Sequence, residues 1–188
     1  MTDPATWQAA HSAGVHWNEY LAAHAGRTAG WTAHIAAAKI TPVQHALLSS
    51  FVRRMNVIVI TGAWCGDCAV QCPMLGAIAA ACPVADVRFL EQADHMQLAE
   101  RMRINGGTRV PTVIWCAEDH HFCSMLGDRT LARYRSIAAK QLGASCPLPW
   151  AKVEADEAAA TMQGWIDEFE RVQLMLRVSP RLRQIHGD

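Results

Sequence analysis

The sequence predicts an α/β fold in which strands alternate with helices and further helices flank both ends. Two observations lead to this prediction. Val57 to Ile60 form a wholly apolar, β-branched run, which is typical of a central strand covered on both faces. From residue 56 to residue 143 the periodicity then predicts strand, helix, strand, helix, strand, strand, helix. We therefore expect one sheet of four strands with helices packed around it.

The length and charge of the chain exclude several classes of protein. Its 188 residues suit a single domain over 1–188, and its 17 basic residues balance 17 acidic ones, which excludes a polybasic nucleic-acid binder. Asp3 and Pro4 stand where a signal peptide would carry basic residues before an apolar block. The longest uncharged stretch, 68–85, is interrupted by glutamine, prolines and glycine. We expect a cytoplasmic protein with no nucleic-acid or membrane partner.

Residues 1–55 are predicted to form an N-terminal helical extension. Apolar residues recur at helical spacing over 7–21, and the glycines within 26–30 are expected to break this pattern. A later helix has a clear start signal at 41–44, where threonine is the N-cap, proline takes the first helical position and glutamine the third. This arrangement predicts a capping box.

Residues 56–143 are predicted to form the core, and 144–188 a C-terminal helix and tail. The long final helix is amphipathic, because its apolar residues recur on one face from Met162 to Leu176. The core elements after the first strand are predicted as a helix to about 81, a strand over 84–90, a helix capped at Asp94, a hairpin of 111–116 with 122–126, and a helix from Asp128 to Gly143.

Two of the seven cysteines form a Cys-x-x-Cys pair on the turn between the first strand and its helix. A spacing of three lets the sulfurs of Cys65 and Cys68 meet across the first helical turn, where free N–H groups and the helix dipole favour a thiolate. We expect a lowered pKa at Cys65, which would attack a substrate disulfide. Cys68 would then attack the mixed disulfide and release the reduced product.

Asp67 lies between the two cysteines and modifies this expectation. Its negative charge disfavours a second negative charge nearby, so it is expected to moderate the depression of the Cys65 pKa. A reductant is therefore predicted rather than a strong oxidant.

The segment Ala63-Trp64-Cys65-Gly66-Asp67-Cys68, with the later Pro73 and Val110-Pro111-Thr112, resembles the thioredoxin family. The predicted order of core elements is that of its minimal fold, a central four-stranded mixed sheet with flanking helices. The Gly-Asp pair resembles a branch of bacterial thioredoxin-like proteins. The resemblance implies a thioredoxin fold and a thiol-disulfide oxidoreductase without a cofactor.

The resemblance also implies roles for residues at this site. Cys65 and Cys68 would be catalytic, Pro111 would be cis, and the Val110 backbone would pair with an extended substrate peptide. Electrons would come from an external reductase or a low-molecular-weight thiol, and the substrate would be a protein or small-molecule disulfide. The residues implied to contact the substrate are Trp64, Gly66, Asp67, Val110 and Pro111.

One position departs from the family pattern. Ordinary thioredoxins place a buried acid six residues before the first cysteine, where it helps to deprotonate the resolving thiol, and this chain has Val59 there. The proton acceptor for Cys68 is therefore left open between Asp67 and a water molecule.

Two other classes of function stay open at this point. The chain can be a peptide-binding or adaptor module whose added helices select a partner. It can also be a metal-binding or redox-sensing protein that uses Cys65, Cys68 and Cys72, because these thiols share one helical face. The hairpin thiols Cys116 and Cys123 are expected to face each other, either free or as a cross-strand disulfide.

Overall fold

The chain is represented by a computed structural model that describes residues 3–142 and 152–188. Within these ranges four strands form one mixed sheet in the order β2-β1-β3-β4. Strand β1 is parallel to β2 and antiparallel to β3, and β3 is antiparallel to β4. This topology confirms the predicted fold class. The strands are β1 (Met55–Thr61), β2 (Ala85–Glu91), β3 (Thr112–Ala117) and β4 (Phe122–Gly127).

Helices surround this sheet on both faces and at both ends of the described chain. None of the helices within 3–142 and 152–188 has the length and apolar character that crossing a membrane requires. The helices are α1 (Pro4–Ala13), α2 (Trp17–Ala23), α3 (Ala25–Thr28), α4 (Thr32–Ala37), α5 (Pro42–Ser49), α6 (Gly66–Ala81), α7 (Met96–Arg101), α8 (Leu131–Leu142), α9 (Glu157–Val178) and α10 (Pro180–His186).

The first strand lies in the middle of the core, and every residue of β1 is buried. Its β-branched residues suit this position because both faces of the strand are covered. The predicted capping box precedes it: the Gln44 backbone N–H donates to Thr41 Oγ1 at 3.3 Å, and Thr41 N–H donates to Gln44 Oε1 at 2.9 Å. Local sequence signals therefore place both α5 and β1 correctly.

The amphipathic helix α9 packs its apolar face on the sheet, as predicted. Phe169 is fully buried and meets Trp115 of β3 edge-on, with ring centroids 5.4 Å apart. Trp165 of the same helix lies 6.3 Å from Trp115, also between centroids. Aromatic side chains thus join the C-terminal helix to the core.

The N-terminal break falls at a different place from the predicted one. Residues 26–30 lie in helical turns, and the chain instead leaves its first helix at Gly14. A Cβ at Gly14 would lie 2.6 Å from the Cβ of Arg88, so only glycine permits this approach to β2. Val15 then exchanges two backbone hydrogen bonds with Phe89, at 3.0 and 2.8 Å.

The predicted pairing of the hairpin cysteines is wrong. Cys116 is opposite Phe122, because the register shifts between Trp115 and Cys116. Such a bulge leaves one residue of the opposite strand unpaired, and here Cys123 takes that place. Both thiols are free, and burial raises the pKa of Cys116 to about 12.

Two predicted helix starts are also corrected. A 3-10 turn, Gln92–His95, precedes α7, whose N-cap is His95 rather than Asp94. Asp128 lies three residues before α8 and accepts a hydrogen bond from Tyr134. The predicted end at Gly143 and the loop from Ala144 to Trp150 lie outside the described residues.

Candidate active site

Cys65 is the N-cap of α6, and its sulfur takes the position of a capping oxygen. Its backbone is extended, with φ −89° and ψ 126°, and its Sγ accepts the Cys68 N–H at 3.5 Å. The first N–H groups of a helix have no intrahelical partner, so the sulfur meets donors there. Cys65 is partly exposed, whereas Cys68 has no accessible surface. Only the first of the two thiols is open to a substrate.

The opposite side of Cys65 is formed by the segment before β3. The Val110–Pro111 peptide bond is cis, as the resemblance implied. The Val110 carbonyl oxygen lies 3.6 Å from Cys65 Sγ. Val110 and Pro111 are both buried, so they present backbone rather than side chains to the sulfur.

The two residues beside Cys65 in the motif are exposed. Trp64 keeps 62% of its surface accessible, and its indole lies over Gly62, where a Cβ would lie 2.7 Å from Trp64 Nε1. Gly66 is exposed, and nothing lies within 4 Å of the position of its missing Cβ. Trp64 and Gly66 therefore flank Cys65 in the chain with an exposed indole and an exposed backbone.

The thiol pKa values differ from the expectation based on the helix terminus alone. The pKa of Cys65 is raised, first by its hydrogen bond to Cys68, then by burial and by charge on Cys68, although backbone N–H groups lower it. Burial also raises the pKa of Cys68. The two sulfurs titrate as a pair, so the helix terminus assists only the first ionisation. Their mutual hydrogen bond acts oppositely on the two thiols, because it raises the pKa of Cys65 and lowers that of Cys68.

Asp67 does not act on the sulfurs as an isolated charge. Its Oδ2 accepts from Arg129 Nε at 2.9 Å and its Oδ1 from Arg133 Nε at 2.6 Å. Burial acts to raise the pKa of Asp67, but the two guanidinium groups outweigh it and hold that pKa below its usual value. The Asp67 charge is therefore balanced by two arginines that lie close to α8, and its predicted effect on Cys65 stays a prediction.

Replacement of Asp67 with asparagine is expected to destabilise the fold by about 2 kcal/mol at neutral pH, because its hydrogen bonds to two charged guanidinium groups are weakened. The folded pKa of Asp67 is depressed. Its contribution is therefore present above the unfolded pKa of about 3.9 and is lost as pH falls through the folded value. Urea unfolding from neutral pH toward pH of about 3 should show the difference from wild type shrinking. The exposed Asp94→Asn serves as control, and a difference that stays constant with pH would contradict the ion-pair explanation.

Comparison with known proteins agrees with this arrangement. A family model described as thioredoxin matches residues 14–134. The chain belongs to the thioredoxin family. No curated protein matches the sequence.

Two solved structures resemble this thioredoxin-family chain. A crystal structure of a protein of unknown function from Pseudomonas aeruginosa has a TM-score of 0.63 and 15% identity, over 94% of this chain and 98% of that one. A crystal structure described as an HIV epitope scaffold has a TM-score of 0.58 and 14% identity, over 84% and 96%. At this level of identity the similarity shows the fold alone.

Sequence reasoning missed a buried acid near the site of this thioredoxin-family chain. Glu91, the last residue of β2, is 5% exposed. Its Oε2 accepts from the Tyr20 hydroxyl at 2.6 Å and from the Ala63 N–H at 3.1 Å. No sequence motif marks Glu91. The one sign of it was its position directly after the strand predicted over 84–90, which runs beside the strand that leads to the Cys-x-x-Cys turn.

The third thiol of the motif helix is packed rather than reactive. Cys72 has no accessible surface, and its Sγ lies 3.1 Å from Thr61 Oγ1. Within residues 3–142 and 152–188, no group of three or more His, Cys, Asp and Glu side chains is arranged to hold a metal ion.

Arg109 also has a structural partner. Its Nη1 lies 3.4 Å from Asp128 Oδ2, and its Nε donates to the Ile104 carbonyl at 3.2 Å. These contacts tie the segment before Val110 to the segment before α8.

Proposed function

We propose that this protein is a thiol-disulfide oxidoreductase that reduces protein or small-molecule disulfides in the cytoplasm. Cys65 attacks the substrate disulfide, forms a mixed disulfide and releases one half of the substrate as a thiolate. Cys68 then attacks the Cys65 sulfur, releases the second half and closes a Cys65–Cys68 disulfide. An external reductase or a low-molecular-weight thiol returns two electrons and restores the dithiol.

The position of the Cys65 sulfur carries this proposal. It is partly exposed, it accepts the Cys68 N–H at the start of a helix, and it lies 3.6 Å from the Val110 carbonyl. A peptide disulfide that approaches Cys65 therefore meets the Trp64 ring and the exposed Gly66 on one side and the Val110–Pro111 backbone on the other. Cys68 is sealed behind it, which suits a thiol that reacts only after the first step.

The thiol environment favours reduction over oxidation. A strong dithiol oxidant owes its potential to a stabilised reduced form, usually a thiolate. Here the hydrogen bond to Cys68, together with burial, raises the pKa of Cys65, and burial raises the pKa of Cys68. The reduced form therefore lacks that stabilisation, and electrons are expected to flow from the dithiol to the substrate.

Trapping tests the proposal directly. Replacing Cys68 with serine removes the resolving thiol, so covalent partners should accumulate on Cys65 and be identified by mass spectrometry after non-reducing electrophoresis. The matched control replaces both Cys65 and Cys68 with serine and should trap nothing. If the Cys68→Ser variant traps no partner, and the wild type does not reduce a model disulfide, the oxidoreductase proposal is wrong.

A further inference from the structure

The resolving step requires a proton acceptor that the motif itself does not supply. Cys68 is sealed from solvent, and burial raises its pKa, so its proton has to leave through the protein. Asp67 is adjacent in sequence, but both of its carboxylate oxygens accept hydrogen bonds from arginines. A carboxylate held in this way is a poor base.

Behind Cys68 lie two further buried groups that can exchange protons. Cys72 lies one turn along α6 from Cys68, so their side chains share a helical face, and Thr61 acts to lower the pKa of Cys68 as a hydrogen-bond partner. Thr61 Oγ1 lies 3.1 Å from Cys72 Sγ, and neither residue has accessible surface. A hydroxyl both donates and accepts, so Thr61 can take a proton from one neighbour while it gives its own to another.

Thr61 acts to lower the pKa of the Tyr20 phenol as a hydrogen-bond partner, and the Tyr20 hydroxyl donates to Glu91 Oε2 at 2.6 Å. Thr61 and Glu91 are directly opposite each other in the parallel pair of β1 and β2, so their side chains lie on the same face of the sheet. That face also carries Val59, which is opposite Phe89. The acid therefore lies one strand away and two residues further along than Val59.

We propose that Glu91 is the proton acceptor for Cys68 and that Thr61 and Tyr20 carry the proton to it. This inference rests on the proposed oxidoreductase function. As the Cys68 sulfur attacks the Cys65–substrate disulfide, its proton passes to Thr61 Oγ1, the Thr61 proton passes to Tyr20 Oη, and the Tyr20 proton passes to Glu91. The Cys65–Cys68 bond forms, the bond from Cys65 to the substrate breaks, and the substrate leaves as a thiolate. One proton is transferred overall, and the dithiol supplies both electrons.

Charged and titratable groups from several elements face Glu91. Arg27 Nη1 lies 3.4 Å from Glu91 Oε1, and Arg27 is half exposed. Arg27 Nη2 also contacts His24 Nδ1 at 2.7 Å. The Tyr20 phenol also donates to Glu91, and the buried thiol of Cys72 acts on that phenol in turn. Arg27 leads from Glu91 to solvent, where the proton can leave after the reaction.

Single-turnover kinetics with dithiobis(nitrobenzoate) separate the two chemical steps. Attack by Cys65 releases a first coloured thiolate, and attack by Cys68 releases a second. The measurement uses a background in which Cys123 and Cys146 are replaced with serine. Glu91→Gln keeps an acceptor oxygen for Tyr20 but removes the base, so we expect the second phase to slow by about a hundredfold while the first is unchanged. In the variant the second phase should rise steeply with pH, because hydroxide then has to take the Cys68 proton, whereas the wild-type second phase should depend less on pH.

Two further variants separate proton transfer from structure. Tyr20→Phe interrupts the relay and leaves Glu91 in place, so it should slow the second phase similarly, and the double variant should be no slower than either single one. Glu168→Gln removes another hydrogen-bonded carboxylate, on α9, and should leave both phases unchanged. Equal second phases and equal pH profiles in wild type and Glu91→Gln would overturn the relay. Absence of the first phase in wild type would instead contradict the proposed function.

Discussion

Replacing Cys65 with serine is expected to lower the rate of disulfide reduction by about a thousandfold or more, to the level of the buffer. The serine hydroxyl is not ionised near neutral pH and cannot form the mixed disulfide. Cys68 cannot take over, because it has no accessible surface and lies behind Cys65. The rate should be measured with a protein disulfide substrate and a thiol reductant.

The matched control for this prediction is Cys123→Ser. Cys123 is also a partly exposed free thiol, but it lies on β4, away from the motif helix. The control should keep the wild-type rate. Residual activity in Cys65→Ser that disappears only when Cys123 is also replaced would show that the reactive thiol has been assigned to the wrong residue.

Replacing Phe169 with alanine is expected to lower the free energy of unfolding by about 3 to 5 kcal/mol. Phe169 is fully buried and meets the Trp115 ring edge-on, so the truncation removes apolar contacts and leaves a cavity between α9 and the sheet. Urea denaturation followed by tryptophan fluorescence measures this loss.

Leu174→Ala on the same helix is the control, because Leu174 is 57% exposed. Its effect should stay within about 0.5 kcal/mol. If Phe169→Ala lowers the free energy of unfolding no more than the control does, the contact of α9 with Trp115 contributes little to the stability of the core. If Phe169→Ala does not fold, Phe169→Leu should still show a smaller loss in the same direction.

Local patterns were sufficient to predict most of the fold. The β-branched run predicted β1, the Thr41 capping box predicted α5, and the apolar face from Met162 to Leu176 predicted the packing of α9. In each case the residues that form the signal lie within the element that they predict. The family resemblance rests on the short segment Trp64 to Cys68 and on two later prolines, Pro73 and Pro111.

Some errors were local, such as the hairpin register and the helix starts, but those that matter most for the site concern contacts between distant segments. Arg129 and Arg133 reach Asp67 from 62 and 66 positions away. Their pairing depends on where α8 packs, which no local pattern encodes. The break at Gly14 likewise depends on its approach to Arg88. The register of β1 against β2 places Glu91 opposite Thr61, a relation that the predicted strands did not specify.

The Val15–Phe89 bridge has a consequence for how other chains can approach the sheet. Strand β2 is an outer strand, and a free outer strand is a template for pairing with another polypeptide. At Phe89 both outward backbone groups are already bonded to Val15. An incoming strand therefore finds this part of the edge occupied by the chain itself. The peptide substrate proposed above would approach elsewhere, at the Val110 backbone beside Cys65.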